Sequence, residues 1–391
     1  MMDLSSPPKA LSNIPMTRVV LINGKDAEAD EVTNILTASP KIKIEQIAPD
    51  AIGSALSADS GDLIILNVQR LEEAETEILN SIRMRTPETP VIFVSPQMQA
   101  DEMRRLFKSG ITDWLPKPLN PNDLFESIIK DARSRKAHTN KVHAVISTTG
   151  GAGASTVALG LADMAANRMI RKHQSVALFD LDFSLGNAGV YANLLNDFKL
   201  SSVAASPRRV DAEFIRAIQK KHDRGFYLYS FLQPELNGDL NGYELVLRLL
   251  DAVSFEHEHT FLDIPYYMTE WREDVLNAVN TATLVTEINL GAIRHTIRQI
   301  EAIQDLRGKA FPLRVLFNKH ESHLFGQRVG RKQIRELLGD VPFEYIPNDP
   351  RTVGEAVDRG LLPSQVRRRA KLVRALHKYL KQTELLEAMP A

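Results

Sequence analysis

Two successive blocks of short, uninterrupted apolar runs alternate with amphipathic segments and limit the folds open to this chain. Apolar runs without polar alternation are typical of strands buried on both faces of a parallel sheet. The segments between them carry apolar residues at helical spacing. We therefore expect an α/β chain that contains two doubly wound parallel sheets.

The two blocks predict two domains with a linker between them. The first block predicts strands at 18–22, 42–47, 63–67, 91–95 and 112–115, with helices near 26–37, 72–85 and 100–108 and from Asn122. The second predicts strands at 142–147, 176–180, 226–229, 259–263, 282–286, 313–317 and 343–346. We assign 1–15 to a flexible tail, 16–132 to the first domain, 133–141 to a linker and 142–386 to the second domain.

Composition excludes several classes of protein. The 391 residues include 43% hydrophobic residues, enough for sizeable cores, and no cysteine. Disulfide frameworks, thiolate metal sites and cysteine nucleophiles are therefore excluded. No segment has the apolar length of a membrane span, so we expect a cytoplasmic protein.

The strongest motif is TTGGAGAST, which follows the first strand of the second block and precedes a predicted helix. Glycines at 150, 151 and 153 allow backbone N–H groups to converge on a phosphate, and the helix N-terminus adds partial positive charge. A Gly-rich turn without a ligand is the alternative. The candidate phosphate-binding residues are Gly150, Gly151, Ala152, Gly153, Ala154, Ser155 and Thr156.

Acidic residues close two later strands. Asp180 and Asp182 end the run VALFDLD, and Asp263 ends HTFLD. Carboxylates at buried strand ends are costly unless they are solvated or bind a metal. The Ser155 hydroxyl has the position of an Mg²⁺ ligand in phosphate loops.

These motifs, over about 240 residues, resemble the deviant Walker A family of MinD- and ParA-type ATPases. The resemblance implies that Thr149 and Ala154 occupy the positions of two lysines that the family uses at the phosphates. It also implies that Asp263 has the Walker B position, so the implied Mg²⁺ residues are Ser155, Asp180 and Asp263. It further implies that Asp182 orients the attacking water, that Asn318 reads adenine, and that Pro347 lies in the loop beside the base.

Loss of both lysines predicts a weakened nucleotide site. One electrostatic contact of this kind contributes roughly 3 kcal/mol to lowering the barrier. We expect ATP and Mg²⁺ to bind weakly or not at all, and at most slow ATP hydrolysis. The alternative is an active ATPase of the positioning or DNA-partitioning kind, in which Lys199, Arg208 or Arg209 replaces the missing lysines.

The segments FSLGNAGVYANLL and LDIPYYMTEWREDVLNAV narrow the resemblance to the TadZ/CpaE branch. That resemblance implies a Tad (Flp) pilus assembly and localisation scaffold that forms a homodimer. Its implied partners are the pilus secretion ATPase or the membrane platform, at a cell pole or near the membrane.

Members of that branch usually begin with a receiver-like domain, and the first block fits one that cannot be phosphorylated. Asn23 follows the first strand where receivers have acidic residues, and Asn67 ends the third strand at the phosphoacceptor position. An amide is not a nucleophile. Ser95 and Lys117 keep the hydroxyl and lysine positions. We therefore expect a pseudo-receiver that serves as a docking or dimerisation surface.

The C-terminal segment is strongly basic. Residues 364–391 contain seven Lys and Arg against two Asp and Glu, and Val366, Ala370, Val373, Leu376 and Leu380 have helical spacing. One interpretation is a terminal helix packed on the sheet with a solvated cationic face. The others are binding to an anionic membrane surface, or less favourably to DNA.

Two histidine pairs complete the candidates. His257 with His259, and His320 with His323, could suggest a metal, but no third ligand has suitable spacing to either pair. We therefore expect solvated histidines.

Overall fold

The computed structural model describes residues 16–24, 27, 29–57, 60–70, 72–98, 102–103, 106, 109–172, 174–204, 206–234, 240–321, 330–383 and 385. The tail predicted at 1–15 and His323 lie outside these residues. Of the helix predicted at 100–108, only 102–103 and 106 are described.

The chain divides into two compact units between His138 and Thr139. This division falls inside the segment predicted as a linker. The structure differs from that prediction locally, since a helix continues through Thr139 and the next strand begins at Lys141.

The first unit has one five-stranded parallel sheet of order β2-β1-β3-β4-β5. Its strands are β1 (Thr17–Asn23), β2 (Ile42–Gln46), β3 (Leu63–Asn67), β4 (Val91–Ser95) and β5 (Asp113–Pro116). Its described helices are α1 (Ala29–Thr37), α2 (Ile52–Ala55), α3 (Glu73–Arg85) and α4 (Pro121–Thr139), with a 3-10 turn at Pro49–Ala51.

Successive residues of β1 explain why this sheet is covered on both faces. Val19 and Leu21 belong to one buried cluster, whereas Val20 and Ile22 belong to another on the opposite face. Side chains alternate across a strand, so an uninterrupted apolar run supplies both cores. The Lys117–Pro118 peptide after β5 is cis.

The second unit has an eight-stranded sheet of order β13-β12-β11-β6-β10-β7-β9-β8, in which only β8 pairs antiparallel. Its strands are β6 (Lys141–Ser147), β7 (Val176–Asp180), β8 (Lys220–Lys221), β9 (Tyr227–Tyr229), β10 (His259–Ile264), β11 (Thr281–Thr286), β12 (Leu313–His320) and β13 (Phe343–Pro347). Parallel pairing brings the carboxyl ends of β6, β7, β10 and β12 to one edge, where the candidate residues lie.

Helices and short turns connect these strands and cover both faces of the sheet. The α-helices are α5 (Ala154–Met169), α6 (Asn187–Tyr191), α7 (Ser201–Ala204), α8 (Ala212–Ile218), α9 (Leu240–Glu256), α10 (Arg272–Ala278), α11 (Leu290–Arg307), α12 (Arg331–Leu338), α13 (Pro350–Arg359), α14 (Pro363–Val366) and α15 (Lys371–Gln382). Two 3-10 turns lie at Ile170–Lys172 and Pro207–Arg209. None of the described helices is both long and apolar enough to cross a bilayer.

The basic C-terminal helix α15 packs its apolar face into the core. Leu372, Val373, Leu376 and Leu380 are buried there, and the Tyr379 hydroxyl pairs with Thr283 Oγ1 at 2.7 Å. The cations lie on the exposed side of α15 and of the turn before it: Arg367, Arg368, Arg369, Lys371, Arg374, Lys378 and Lys381. We call these residues the cationic strip. Because the apolar face is covered, it cannot also insert into a lipid layer.

Candidate nucleotide-binding site

The loop between β6 and α5 has the backbone conformation that its glycines predict. Gly151 and Gly153 have φ angles of 78° and 86°, a left-handed conformation that other residues seldom adopt. Gly153 immediately precedes the first residue of α5. The loop is anchored by Ser147 Oγ, which donates to the Thr149 carbonyl at 2.7 Å. This conformation and the helix N-terminus together favour an anion.

A cavity of about 380 Å³ opens in front of this loop. That volume lies in the range of small-molecule sites. The described residues that line it are Ser147, Gly150, Gly151, Gly153, Ala154, Ser155, Thr156, Asp182, Leu185, Asn187, Tyr191, Asp263, Ile264, Pro265, Tyr266, Lys319, Val353 and Val357. Six of the seven predicted phosphate-loop residues therefore face one cavity, and the seventh, Ala152, lies buried behind them.

Asp263 is buried at the cavity wall with an unsatisfied oxygen. Its Oδ2 has no hydrogen-bond partner among the described residues, while the Ser155 hydroxyl bonds to the same carboxyl group. Burial raises the pKa of Asp263 well above its ordinary value, and the nearby Asp180 adds to the shift. A buried, unpartnered carboxylate oxygen beside a hydroxyl fits Mg²⁺, which prefers hard oxygen ligands.

Asp180, which the sequence predicts as an Mg²⁺ residue, lies buried at the end of β7. Its carboxylate accepts hydrogen bonds from the Ser230 hydroxyl at 2.8 Å, Asp182 N at 3.0 Å and Ala188 N at 3.1 Å. The two backbone bonds hold the turn between β7 and α6, and the third joins Asp180 to Ser230, which follows β9. Burial nevertheless raises the pKa of Asp180.

Asp182 faces the cavity, and a residue that the sequence analysis missed holds it. The Tyr267 hydroxyl donates to Asp182 Oδ1 at 2.7 Å, and Ser184 N donates to the same oxygen at 3.2 Å. Tyr266, the neighbour of Tyr267, places its ring against the phosphate loop at Gly150. The run PYYM after Asp263 was the available signal.

Two consecutive residues of β12 reach the loop. Asn318 is buried, and its Nδ2 donates to the Ala152 carbonyl at 2.9 Å. Lys319 Nζ donates to the Gly151 carbonyl at 2.6 Å and pairs with Glu287 Oε1 at 2.7 Å. Lys319 was not predicted, although it directly follows Asn318. Pro347 ends β13 opposite His320 and is not among the described residues that line the cavity.

In the first unit, the four predicted receiver positions lie at the carboxyl ends of neighbouring strands. Asn67 is fully buried, and its amide donates to Asn23 Oδ1 at 2.8 Å. The Ser95 hydroxyl donates to the Pro96 carbonyl at 2.9 Å and accepts from the Trp114 indole at 3.0 Å. Lys117 N donates to the Ser95 carbonyl at 2.8 Å. Two hydrogen-bonded amides thus lie at the ends of β1 and β3.

The prediction of solvated histidines is wrong for His257 and His259, which are both buried. His257 bonds to the Tyr229 hydroxyl at 2.8 Å, and His259 Nδ1 lies 3.4 Å from Nε2 of a third buried histidine, His143. Neutral imidazoles pack and bond in the interior without the cost of a charge. Within the described ranges, no three His, Asp or Glu side chains form a metal-binding group.

Comparisons with known proteins agree with both units. Residues 19–129 match the response regulator receiver domain family. No curated protein matches the chain significantly. The chain is similar in structure to a ParA family ATPase from Chlorobium tepidum TLS, with 16% identity, a TM-score of 0.52, and coverage of 63% of this chain and 99% of that chain.

Two archaeal structures show the same likeness. The Pyrococcus furiosus cell division ATPase MinD has 16% identity and a TM-score of 0.51, with coverage of 63% of this chain and 99% of that chain. The Pyrococcus horikoshii OT3 septum site-determining protein MinD, complexed with Mg-ADP, has 15% identity and a TM-score of 0.50, with coverage of 63% and 97%. The fold is therefore a receiver-type domain followed by a P-loop domain of the MinD/ParA type.

Proposed function

We propose that this chain is a positioning scaffold that binds nucleotide and hydrolyses it little. The observation that carries the proposal is a phosphate loop with its left-handed glycines in place and with Thr149 and Ala154 at the lysine positions. Backbone N–H groups can bind phosphate without a lysine. Transition-state charge would lack the stabilisation that a loop lysine supplies.

The cavity supports Mg²⁺-nucleotide as the ligand. Asp263 and Ser155 are the residues that would hold the ion, directly or through its water shell. Bound Mg²⁺ would neutralise phosphate charge. Asn318 holds the loop from behind through the Ala152 carbonyl. The MinD structure of Pyrococcus horikoshii, which shares the fold, is a complex with Mg-ADP.

Tyr267 and Ser184 fix the orientation of the Asp182 carboxylate at the cavity. Both donate to its Oδ1, so Oδ2 is the oxygen that would accept from a water molecule.

For the first unit, we propose a docking or dimerisation role. A receiver signals through phosphorylation of an aspartate, and this unit has Asn67 at that position. Its family match and its intact sheet leave a folded surface without the phosphorylation chemistry.

The biological setting we propose is Tad (Flp) pilus assembly at a cell pole, in the cytoplasm beside the membrane. It rests on the resemblance of the second block to the TadZ/CpaE branch and on the order of the two domains. A second copy of this chain and the pilus secretion ATPase or membrane platform are the proposed partners. The cationic strip suits the anionic inner leaflet of a membrane, and DNA suits it less well in this setting.

Calorimetric titration of the full chain with Mg²⁺-ATP, beside a phosphate-release assay, tests the nucleotide proposal. We expect binding with little turnover. Ala154→Lys should raise turnover because it restores the loop lysine, whereas Ser155→Ala should weaken Mg²⁺-dependent binding. Brisk hydrolysis by the unaltered chain that Asp182→Ala abolishes would contradict the scaffold, as would failure to bind any nucleotide.

A further inference from the structure

A bulge in β12 turns two consecutive side chains toward the phosphate loop. The register with β13 shifts between Phe317 and His320. Lys319, inside this shift, has a φ of 53°, a left-handed conformation that is uncommon outside glycine. In a regular strand neighbouring side chains point to opposite faces, but Asn318 and Lys319 both bond to loop carbonyls. Such bulges re-aim side chains beside binding sites.

The described residues that line the cavity include more acidic than basic side chains. Lys319 is the one cationic side chain among the described residues that line the cavity, and Asp182 and Asp263 are the acidic ones. A polyphosphate is itself strongly anionic. Without a loop lysine, attraction from the protein must come from backbone N–H groups, bound Mg²⁺ and Lys319.

Glu287 holds Lys319 at the cavity edge. The Lys319 and Glu287 side chains are 46% and 34% exposed, with 2.7 Å between Nζ and Oε1. Partly exposed ion pairs contribute about 0–1 kcal/mol. A long, flexible lysine can therefore be drawn from this pair toward a more highly charged ligand.

We propose that Lys319 supplies from β12 the positive charge that the phosphate loop lacks, and that Glu287 restrains it until polyphosphate binds. This inference rests on the proposed nucleotide binding. Asn318 already secures the loop through the Ala152 carbonyl, so Lys319 acts by its charge in addition to its bond with Gly151.

Removing the charge of Lys319 and removing the charge of Glu287 should change ATP affinity in opposite directions. If the ion pair only stabilised the fold, both changes would weaken binding. Calorimetry with Mg²⁺-ATP should show affinity about tenfold lower in Lys319→Gln, the size of one screened charge interaction. Glu287→Gln should bind more tightly, by about two- to fivefold, because it frees the ammonium group. Lys319→Arg keeps the charge and should stay within about twofold of the unaltered chain.

The salt dependence of ATP affinity and a matched control variant distinguish an effect of the Lys319 charge from an effect on folding. Lys319→Gln should reduce the loss of ATP affinity with rising salt, since one ionic contact is gone. Glu355→Gln removes a carboxylate from another partly exposed pair, with Arg359, and should leave affinity unchanged. Thermal unfolding should show that every variant is folded.

The outcomes distinguish the two proposals. If the unaltered chain binds no Mg²⁺-ATP, the proposed function fails and this inference fails with it. If the unaltered chain binds but Lys319→Gln changes nothing, or if Lys319→Gln and Glu287→Gln weaken binding alike, only the role of Lys319 is overturned.

Discussion

The side-chain amide of Asn67 donates a hydrogen bond to Asn23 Oδ1 across 2.8 Å, joining the carboxyl ends of β3 and β1. Two carboxylates this close would repel and would need a cation between them. Two amides need no cation, because one donates to the other. In the unit that matches the receiver family at residues 19–129, a neutral pair thus joins the ends of these two strands.

Replacing Asn67 by Asp should lower the free energy of unfolding more than replacing Asn23 by Asp. Asn67→Asp replaces the only donor in this bond and buries a carboxylate against Asn23 Oδ1, which should lower the free energy of unfolding by about 1–3 kcal/mol at pH 7. Asn23→Asp keeps an oxygen that can accept from the Asn67 amide, so it should lower the free energy of unfolding by less. Urea unfolding of both variants measures the difference, and equal losses would contradict the donor assignment.

Removal of the Asp263 charge should stabilise the chain without ligand and abolish Mg²⁺-dependent nucleotide binding. Burial raises the pKa of Asp263, so ionisation disfavours the folded state as pH rises through that pKa. Asp263→Asn should raise the free energy of unfolding by about 1 kcal/mol at pH 8 and change it little at pH 4. Denaturant titration at both pH values tests this, and a gain that does not depend on pH would refute it.

Acid should destabilise the chain through its buried histidines. Burial lowers the pKa of His143 to about 3 and of His259 to about 4, below the value of about 6.5 for an unfolded chain. Each histidine binds its proton first in the unfolded state, so stability falls as pH drops below 6.5, by up to about 1.4 kcal/mol per pH unit for each.

His259→Phe should remove its share of that slope. Asp263 acts in the opposite sense, so the difference between the parent and the variant, measured from pH 7 to pH 4.5, isolates the histidine contribution. An identical slope in both proteins would show that His259 is not buried in its neutral form.

The cationic strip should bind anionic lipid by charge alone, because the apolar side of α15 is covered. Changing Arg367, Arg368 and Arg369 to Gln should abolish binding to phosphatidylglycerol vesicles at low salt. Each lost charge should weaken the free energy of binding by about 1 kcal/mol. The matched control is Gln at Arg294, Arg298 and Lys309, which lie on and after α11. Vesicle sedimentation over a salt series tests this, and binding that resists salt would point to insertion.

Local sequence determined the glycine loop and every strand but the short β8. Apolar runs mark buried strands because side-chain alternation needs no tertiary information. The loop glycines and the residues at 149 and 154 are neighbours in the chain, so their pattern is readable there. The same holds for Asn23 and Asn67, whose amides are not nucleophiles.

Tertiary structure decided which polar side chains bond to each other. Asp180 and Asp263 both end strands in the sequence. The Asp180 carboxylate accepts from the β7–α6 turn and from Ser230, whereas Asp263 Oδ2 has no partner among the described residues. Lys319 reaches Gly151 because β12 bulges, and Glu287 reaches Lys319 because β11 and β12 are adjacent. Hydrogen bonds and ion pairs depend on distances between segments far apart in the chain, which local patterns do not contain.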